Sequence, residues 1–251
     1  MIVMRWMNPD SEWLSNSYLV TRADGGDALV VDTGVDTAPL LAEVRARRLR
    51  VRAVVNTHHH IDHTQDNARV AKATGAAVLA HAHEAPLIEN ARGVPDGETL
   101  ELDGWRAVVR HIPGHTAGHL ALHVTEAAGE TGHLFTGDTL FRRSVGGTRA
   151  PGHTTLDDLR RSILETLLAH DDATIVHPGH TEPTTIGEER RENPFIRAWL
   201  GVDRPGDAPC RFAGRPARLL VWARDYDGGW KAWIRFETGE EAVVPGSRVE
   251  R

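Results

Sequence analysis

A chain of 251 residues that is 40% hydrophobic and 25% charged has the composition of an ordinary soluble globular protein, with room for one large core plus a small appendage. A net charge of −6 with histidines neutral, and no basic stripe, disfavours nucleic-acid binding, because phosphate neutralisation needs clustered Lys and Arg. The single cysteine, Cys210, excludes an internal disulfide and a Cys-rich metal cage, and no stretch approaches bilayer length, so a cytoplasmic protein without membrane contact is expected.

In chain order, S-Y-L-V-T (17–21) and A-L-V-V (28–31) predict two strands joined by D-G-G-D, the second running into Asp32-Thr33-Gly34. A helix is expected to start near Thr37, with Leu40, Leu41 and Val44 on one face. V-R-A-V-V-N (51–56) predicts a strand that delivers N-T-H-H-H-I-D-H-T (56–64) at its C-terminal end. Residues 67–73 suit a helix, 76–80 a strand, and 105–111 another that ends at P-G-H-T-A-G-H. Strands over 120–124 and 133–136 follow, the latter ending at Gly137-Asp138. Leu156, Leu159, Ile163, Leu167 and Leu168 form an apolar stripe at helical spacing, with Thr155 and Asp158 as its cap. A last strand over 173–177 ends at P-G-H-T. Strands alternating with helices and ending in His- or Asp-bearing loops predict an α/β protein whose site sits at one edge of its sheets.

The composition shifts after Leu200. Residues 201–216 read as a linker between a main domain, 1–200, and a small β-rich extension, 217–251. Within the extension, 218–223, 230–236 and 241–245 alternate strongly between turn sequences and predict a meander or small barrel, barely stable alone. Trp222, Trp230 and Trp233 form the core of that unit, rim the pocket or make a dimer contact.

The chemistry concentrates in residues 58–63. His58 and His60 lie two apart, so an extended chain points both the same way, while Asp62 and His63 fall on the following turn. Imidazole with carboxylate suits Zn, Fe, Mn or Co rather than calcium or magnesium. Four candidates in one loop exceed the usual three protein ligands of one catalytic zinc, which points to two metals. The competing reading of such a tract, a solvated loop or an accidental run, is the lesser one even for this loop alone. Three further strand ends weaken it more, because His115, Asp138 and His180 each follow a glycine just after an apolar strand.

V-D-T-G with Asp32, T-H-H-H-I-D-H, P-G-H-T-A-G-H, G-D-T-L-F and P-G-H-T, in that order across residues 16–200, resemble the metallo-β-lactamase superfamily, most of all its glyoxalase II (hydroxyacylglutathione hydrolase) branch. The resemblance implies an αββα sandwich with the small C-terminal β unit appended. It implies a first metal held by His58, His60 and His115, and a second held by Asp62, His63 and His180. Asp138 would bridge them, Asp32 would orient ligands without being one, and Asp62 and Asp138 would be the catalytic carboxylates. The implied cofactor is a pair of divalent metals, zinc first, with iron or manganese also suited. The implied chemistry is attack of a hydroxide, held between the metals, on an acyl carbon.

The resemblance is incomplete. R-R-S-V-G-G-T-R-A-P follows G-D-T-L-F where glyoxalase II carries a glycine-cysteine-glycine-arginine element, and the tail reads as strands rather than helices. A hydroxyacyl thioester is therefore the expected substrate, on a thiol or an acyl carrier other than glutathione if need be. Arg142, Arg143, Arg149 and His153 are candidates to line its pocket. His59 and His119 match no ligand position, and His81, His83 and His111 have no spacing that recruits them. Two rivals share the ligand list: a mononuclear iron persulfide dioxygenase using the positions of His58, His115 and Asp138, and a lactonase on the same dimetal site. The expected partner is a small-molecule acyl substrate, and a homodimer is compatible with the sequence.

Overall fold

The computed structural model describes residues 1–7, 14–126 and 132–251. Two six-stranded sheets form its centre. The first runs in chain order through Ile2–Met7, Asn16–Thr21, Asp27–Val31, Arg50–Val55, Ala77–His81 and Ala91–Val94. Its first three strands pair antiparallel, and the remainder pair parallel. The second is ordered Thr184–Thr185, Ile175–Pro178, His133–Gly137, Leu120–Thr125, Trp105–His111, Thr99–Leu102.

Strand alternation sorts the side chains into layers. Tyr18, Val20, Val31 and Val55 face Val109, Leu122 and Phe135 of the other sheet, forming the core between the sheets. The intervening residues Leu19, Val30 and Val54 face outward onto Leu40, Leu41, Val44 and Val70 of two helices. The second sheet repeats the scheme: Ala121, Leu134 and Val176 pack on Leu159, Ile163 and Phe195 of the opposite helical layer. The result is the αββα sandwich. Phe135, fully buried, lies edge-on to Tyr18 at 5.2 Å and stacks on His177 at 4.7 Å, so replacing it with alanine would cost about 3–5 kcal/mol.

The helix at Leu156 begins with the expected capping box: Asp158 N–H donates to Thr155 Oγ1 at 3.1 Å, and the Asp158 carboxylate accepts from the Thr155 amide. Its stripe continues through a π-turn, Ser162–Leu167.

The three strands expected in the tail are present and pair consecutively as an antiparallel meander, and two further strands extend it. Five strands form its sheet, ordered Glu241–Pro245, Trp230–Phe236, Arg215–Arg224, Ala208–Phe212, Val249–Glu250. The strand Ala208–Phe212 lies inside the stretch read as a linker, because Pro209 and Arg211 mask the inward alternation of Cys210 and Phe212. One face encloses a core of its own around Ile234 and Phe236, while Leu220, Ala223, Trp233 and Val243 join the core of the main domain. Thr148 and Val243 exchange hydrogen bonds across this seam, N–H to O at 2.9 Å and N–H to Oγ1 at 3.0 Å. Trp233 is therefore part of a shared core. Trp222 and Trp230 stack on each other at 5.5 Å, away from the pocket described below.

Candidate metal centre

Every site residue leaves the C-terminal end of a strand. Asp32 follows Asp27–Val31, with φ of +55°, and the histidine cluster follows Arg50–Val55. His115 follows Trp105–His111, Asp138 follows His133–Gly137 and His180 follows Ile175–Pro178. The chain bends at Thr57 and His58 and is extended again at His60, the N-cap residue of the one-turn helix Ile61–Thr64 that carries Asp62 and His63. The last loop is tied across to the first sheet: Asn16 N–H donates to Gly179 O at 2.7 Å, and Tyr18 Oη–H donates to Pro178 O at 2.7 Å.

These loops bring seven side chains together. Ligand-type atoms of His58, His60 and His115 converge within 4.8 Å of one another, as do those of Asp62, His63 and His180. His60 Nδ1 lies 2.9 Å from His58 Nε2 and 3.1 Å from His115 Nε2. Asp138 stands between the groups. Its Oδ1 is 3.3 Å from His63 Nε2, and its Oδ2 is 3.3 Å from His180 Nε2 and 3.7 Å from His115 Nε2.

The opposite ring nitrogens are pinned, which fixes where the lone pairs point. A carbonyl or carboxylate only accepts, so His60 Nε2 donates to Pro151 O, His115 Nδ1 to Gly147 O and His63 Nδ1 to Asp32 Oδ2, at 2.8–2.9 Å. Thr57 Oγ1 donates to Asp32 Oδ2 at 2.8 Å, leaving its oxygen to accept from His58 Nδ1 at 3.1 Å. Four imidazoles are thereby held with a bare nitrogen turned inward. Among the described residues, His63 Nδ1 is the one ring nitrogen of the two clusters that Asp32 contacts.

Buried polar atoms normally have partners. Here His63 Nε2, Asp138 Oδ1 and both nitrogens of His180 are buried without one. Burial lowers His58 well below the usual histidine range and His115 to about 4, with imidazole neighbours adding to the effect, so both stay neutral donors. Burial would also lower His63, yet the charges of Asp138 and Asp32 raise it well above that range. Burial opposes the ionised Asp138, but His180 and His63 hold it well below the usual carboxylate range. The second cluster thus calls for positive charge among inward-facing lone pairs. A donor set of five imidazoles and two carboxylates with orphaned atoms fits transition-metal cations.

Other residues had no signal at the level of spacing. Glu84 accepts from the His59 amide at 2.9 Å, from its ring, and from Gly118 N–H at 2.7 Å, joining two ligand-bearing loops. Burial would raise this carboxyl; the hydrogen bonds from His59, Thr116 and Gly118 lower it to about 2 instead. His59 accordingly points away from the centre. His119 stacks on His58 at 4.7 Å and accepts the Asp138 amide N–H. His81, His83 and His111 also converge within 4.8 Å, but His81 and His111 lie face to face at 4.0 Å and His111 donates to Ala117 O, a packed arrangement.

Beside His115 and Asp138 opens a cavity of about 340 Å³. Of the four pocket candidates only Arg149 lines it. Arg143, in a left-handed backbone conformation, pairs with Glu192 on the outside; Arg142 is exposed; and His153 is exposed with its ring bonded to Thr154 O. Their places are taken by Tyr226, Lys231 and Arg248 of the C-terminal sheet.

Comparison with known proteins agrees with this geometry. Residues 10–180, more than half of the chain, match the family described as Metallo-beta-lactamase superfamily. A Mycobacterium tuberculosis protein without an assigned function is 35% identical over 207 residues, covering 72% of this chain and 92% of its own. A hydroxyacylglutathione hydrolase of Anaeromyxobacter dehalogenans is 31% identical over 252 residues, covering 83% of this chain and 94% of its own. The crystal structure of a protein called TTHA1623, in a di-iron-bound form, superposes with a TM-score of 0.62 at 32% identity over 76% of this chain and 99% of that one. Among the described residues, no helix is long and apolar enough to cross a membrane.

Proposed function

The chain belongs to the metallo-beta-lactamase superfamily, and from that premise we propose that it is a metal-dependent hydrolase of acyl thioesters. In this reading His58, His60 and His115 would hold one cation and Asp62, His63 and His180 the other, with Asp138 placed to serve both. When bound, the cations supply Lewis acidity, acidifying water towards neutral pH and polarising the acyl carbonyl. The chain's own part is to fix the donors. Asp32 and Thr57 set the tautomers of His63 and His58, Gly147 and Pro151 those of His115 and His60. The cavity beside His115 and Asp138 admits the substrate and has side chains from both units along its wall. Water adds to the acyl carbon, the C–S bond breaks, and the thiolate takes up a proton.

The observation that carries the proposal is the place of Asp138, each carboxylate oxygen 3.3 Å from an imidazole nitrogen of the second cluster and one of them also 3.7 Å from His115. The likeness to a hydroxyacylglutathione hydrolase supports a thioester over a lactone. Zinc suits the donor set, and the di-iron form of a 32% identical structure makes iron a second candidate. The test is anaerobic incubation of metal-loaded protein with S-lactoylglutathione and with lactoyl thioesters of simpler thiols. The expected result is free thiol released without oxygen. Oxygen uptake with a persulfide substrate, and no thiol release from any thioester, would replace the proposal with the dioxygenase reading.

A further inference from the structure

We propose that the C-terminal sheet is the substrate-recognition element of this site, and that Arg248, Lys231 and Arg149 receive an anionic group, a carboxylate or phosphate, on the substrate. The inference rests on the hydrolase reading for where the scissile carbonyl lies, at His115 and Asp138. From there the wall of the cavity runs across Gly147 and Arg149 to Tyr226, Lys231 and Arg248.

The three cations differ in their surroundings. Lys231 is 5% exposed, with its ammonium 2.9 Å from Asp225 Oδ2. Asp225 is held in turn by Ser144 Oγ at 3.0 Å and the Tyr226 amide at 2.9 Å. Burying such a pair is costly, and an apolar pair would fill the space as well. What the pair provides is a fixed ammonium on the cavity wall. Arg149 pairs with Glu240 and carries a buried Nε without a partner. Arg248 is exposed, lies over the Phe212 ring at 5.1 Å, and has no carboxylate within salt-bridge distance among the described residues. Asp225 therefore balances Lys231, Glu240 is shared between Arg149 and Arg215, the latter at 3.2 Å, and the guanidinium of Arg248 is left for a ligand. Tyr226 completes the wall. Its ring stacks on His180 at 4.1 Å and 13°, and its hydroxyl makes no hydrogen bond to a described residue, which leaves it to donate to the substrate.

The test compares 3-(butylthio)propanoate with its neutral amide, two thioethers that cannot be hydrolysed, by calorimetric titration of the metal-loaded full chain. The native protein is expected to bind the carboxylate at least about tenfold more tightly. Arg248→Ala, an exposed site whose replacement spares the fold, should bring the ratio close to one without changing affinity for the amide. Lys231→Met should do the same where it folds. A ratio near one in the native chain, or one unmoved by Arg248→Ala, overturns the inference. Thioester hydrolysis without carboxylate preference removes this inference and keeps the hydrolase; preference lost in Arg248→Ala without any thioester hydrolysis does the reverse. Rate comparison of thioesters carrying the anion on the thiol with others carrying it on the acyl group shows which half of the substrate the cations hold.

Discussion

The main-chain N–H of Asp138 donates to His119 Nε2 across 3.0 Å, in the one stretch where the second sheet delivers its carboxylate. His119 is buried, and burial with the neighbouring His115 lowers it to about 3, so it remains a neutral acceptor. It thereby sets the angle at which Asp138 enters the centre, and it is a positioning residue. Replacement by phenylalanine would preserve the stack on His58 but leave a buried amide unpartnered, at a cost of about 1–3 kcal/mol. Hydrolysis should fall by about 10–100-fold, as for other groups that orient metal ligands. His119→Gln, which can still accept, should recover part of that loss in the same steady-state assay. Equal losses in both variants would assign His119 to packing alone.

Glu84 gives a prediction in pH. Its folded carboxyl is lowered to about 2 from an ordinary 4.5. A depressed acid contributes stability that is fully present above the unfolded value and lost as pH falls towards the folded one. Denaturant titrations at neutral pH should find Glu84→Gln less stable by about 1.5–3 kcal/mol, since charge-assisted hydrogen bonds are lost. Between pH 4.5 and 2 that gap should close as the native carboxylate takes up its proton. A gap that stays constant over this window would show that Glu84 is not the link between the two loops.

Gly34 tests the second cluster through the backbone. A Cβ there would overlap the carbonyl oxygen of Asp62 and press on Ser15 Oγ. Backbone cannot swing aside as a long side chain does, so Gly34→Ala should displace the turn that carries Asp62 and His63. Equilibrium dialysis is expected to show weakened binding of one metal and retention of the other. Unchanged affinity for both would mean that the turn is free to shift.

Much of this was legible from residue order, for physical reasons. The strand Trp105–His111 has both alternation and a Pro-Gly stop, so its limits are read without the structure. The cap of Thr155 and Asp158 is a local exchange of hydrogen bonds over three residues and was equally plain. The strands Ile2–Met7 and Thr99–Leu102 escaped because both lie at or near sheet edges, half-buried without the contrast that marks an inner strand. Glu84 meets His59 and Gly118 across 25 and 34 positions, a pairing that no short motif registers. Arg142 and Arg143 looked closer to the pocket than Tyr226 and Lys231, since nearness in sequence to Asp138 was the only guide. A left-handed turn at Arg143 sends that side chain outward, and the C-terminal sheet folds back into its place.

The central claim, that seven side chains enclose two neighbouring cations, meets its most direct test in metal content per chain, measured by plasma mass spectrometry on native protein and on His180→Ala. The account predicts about two transition-metal ions in the native chain and about one after the substitution, because His180 belongs to only one of the two clusters. A single iron per chain that survives His180→Ala unchanged would contradict it.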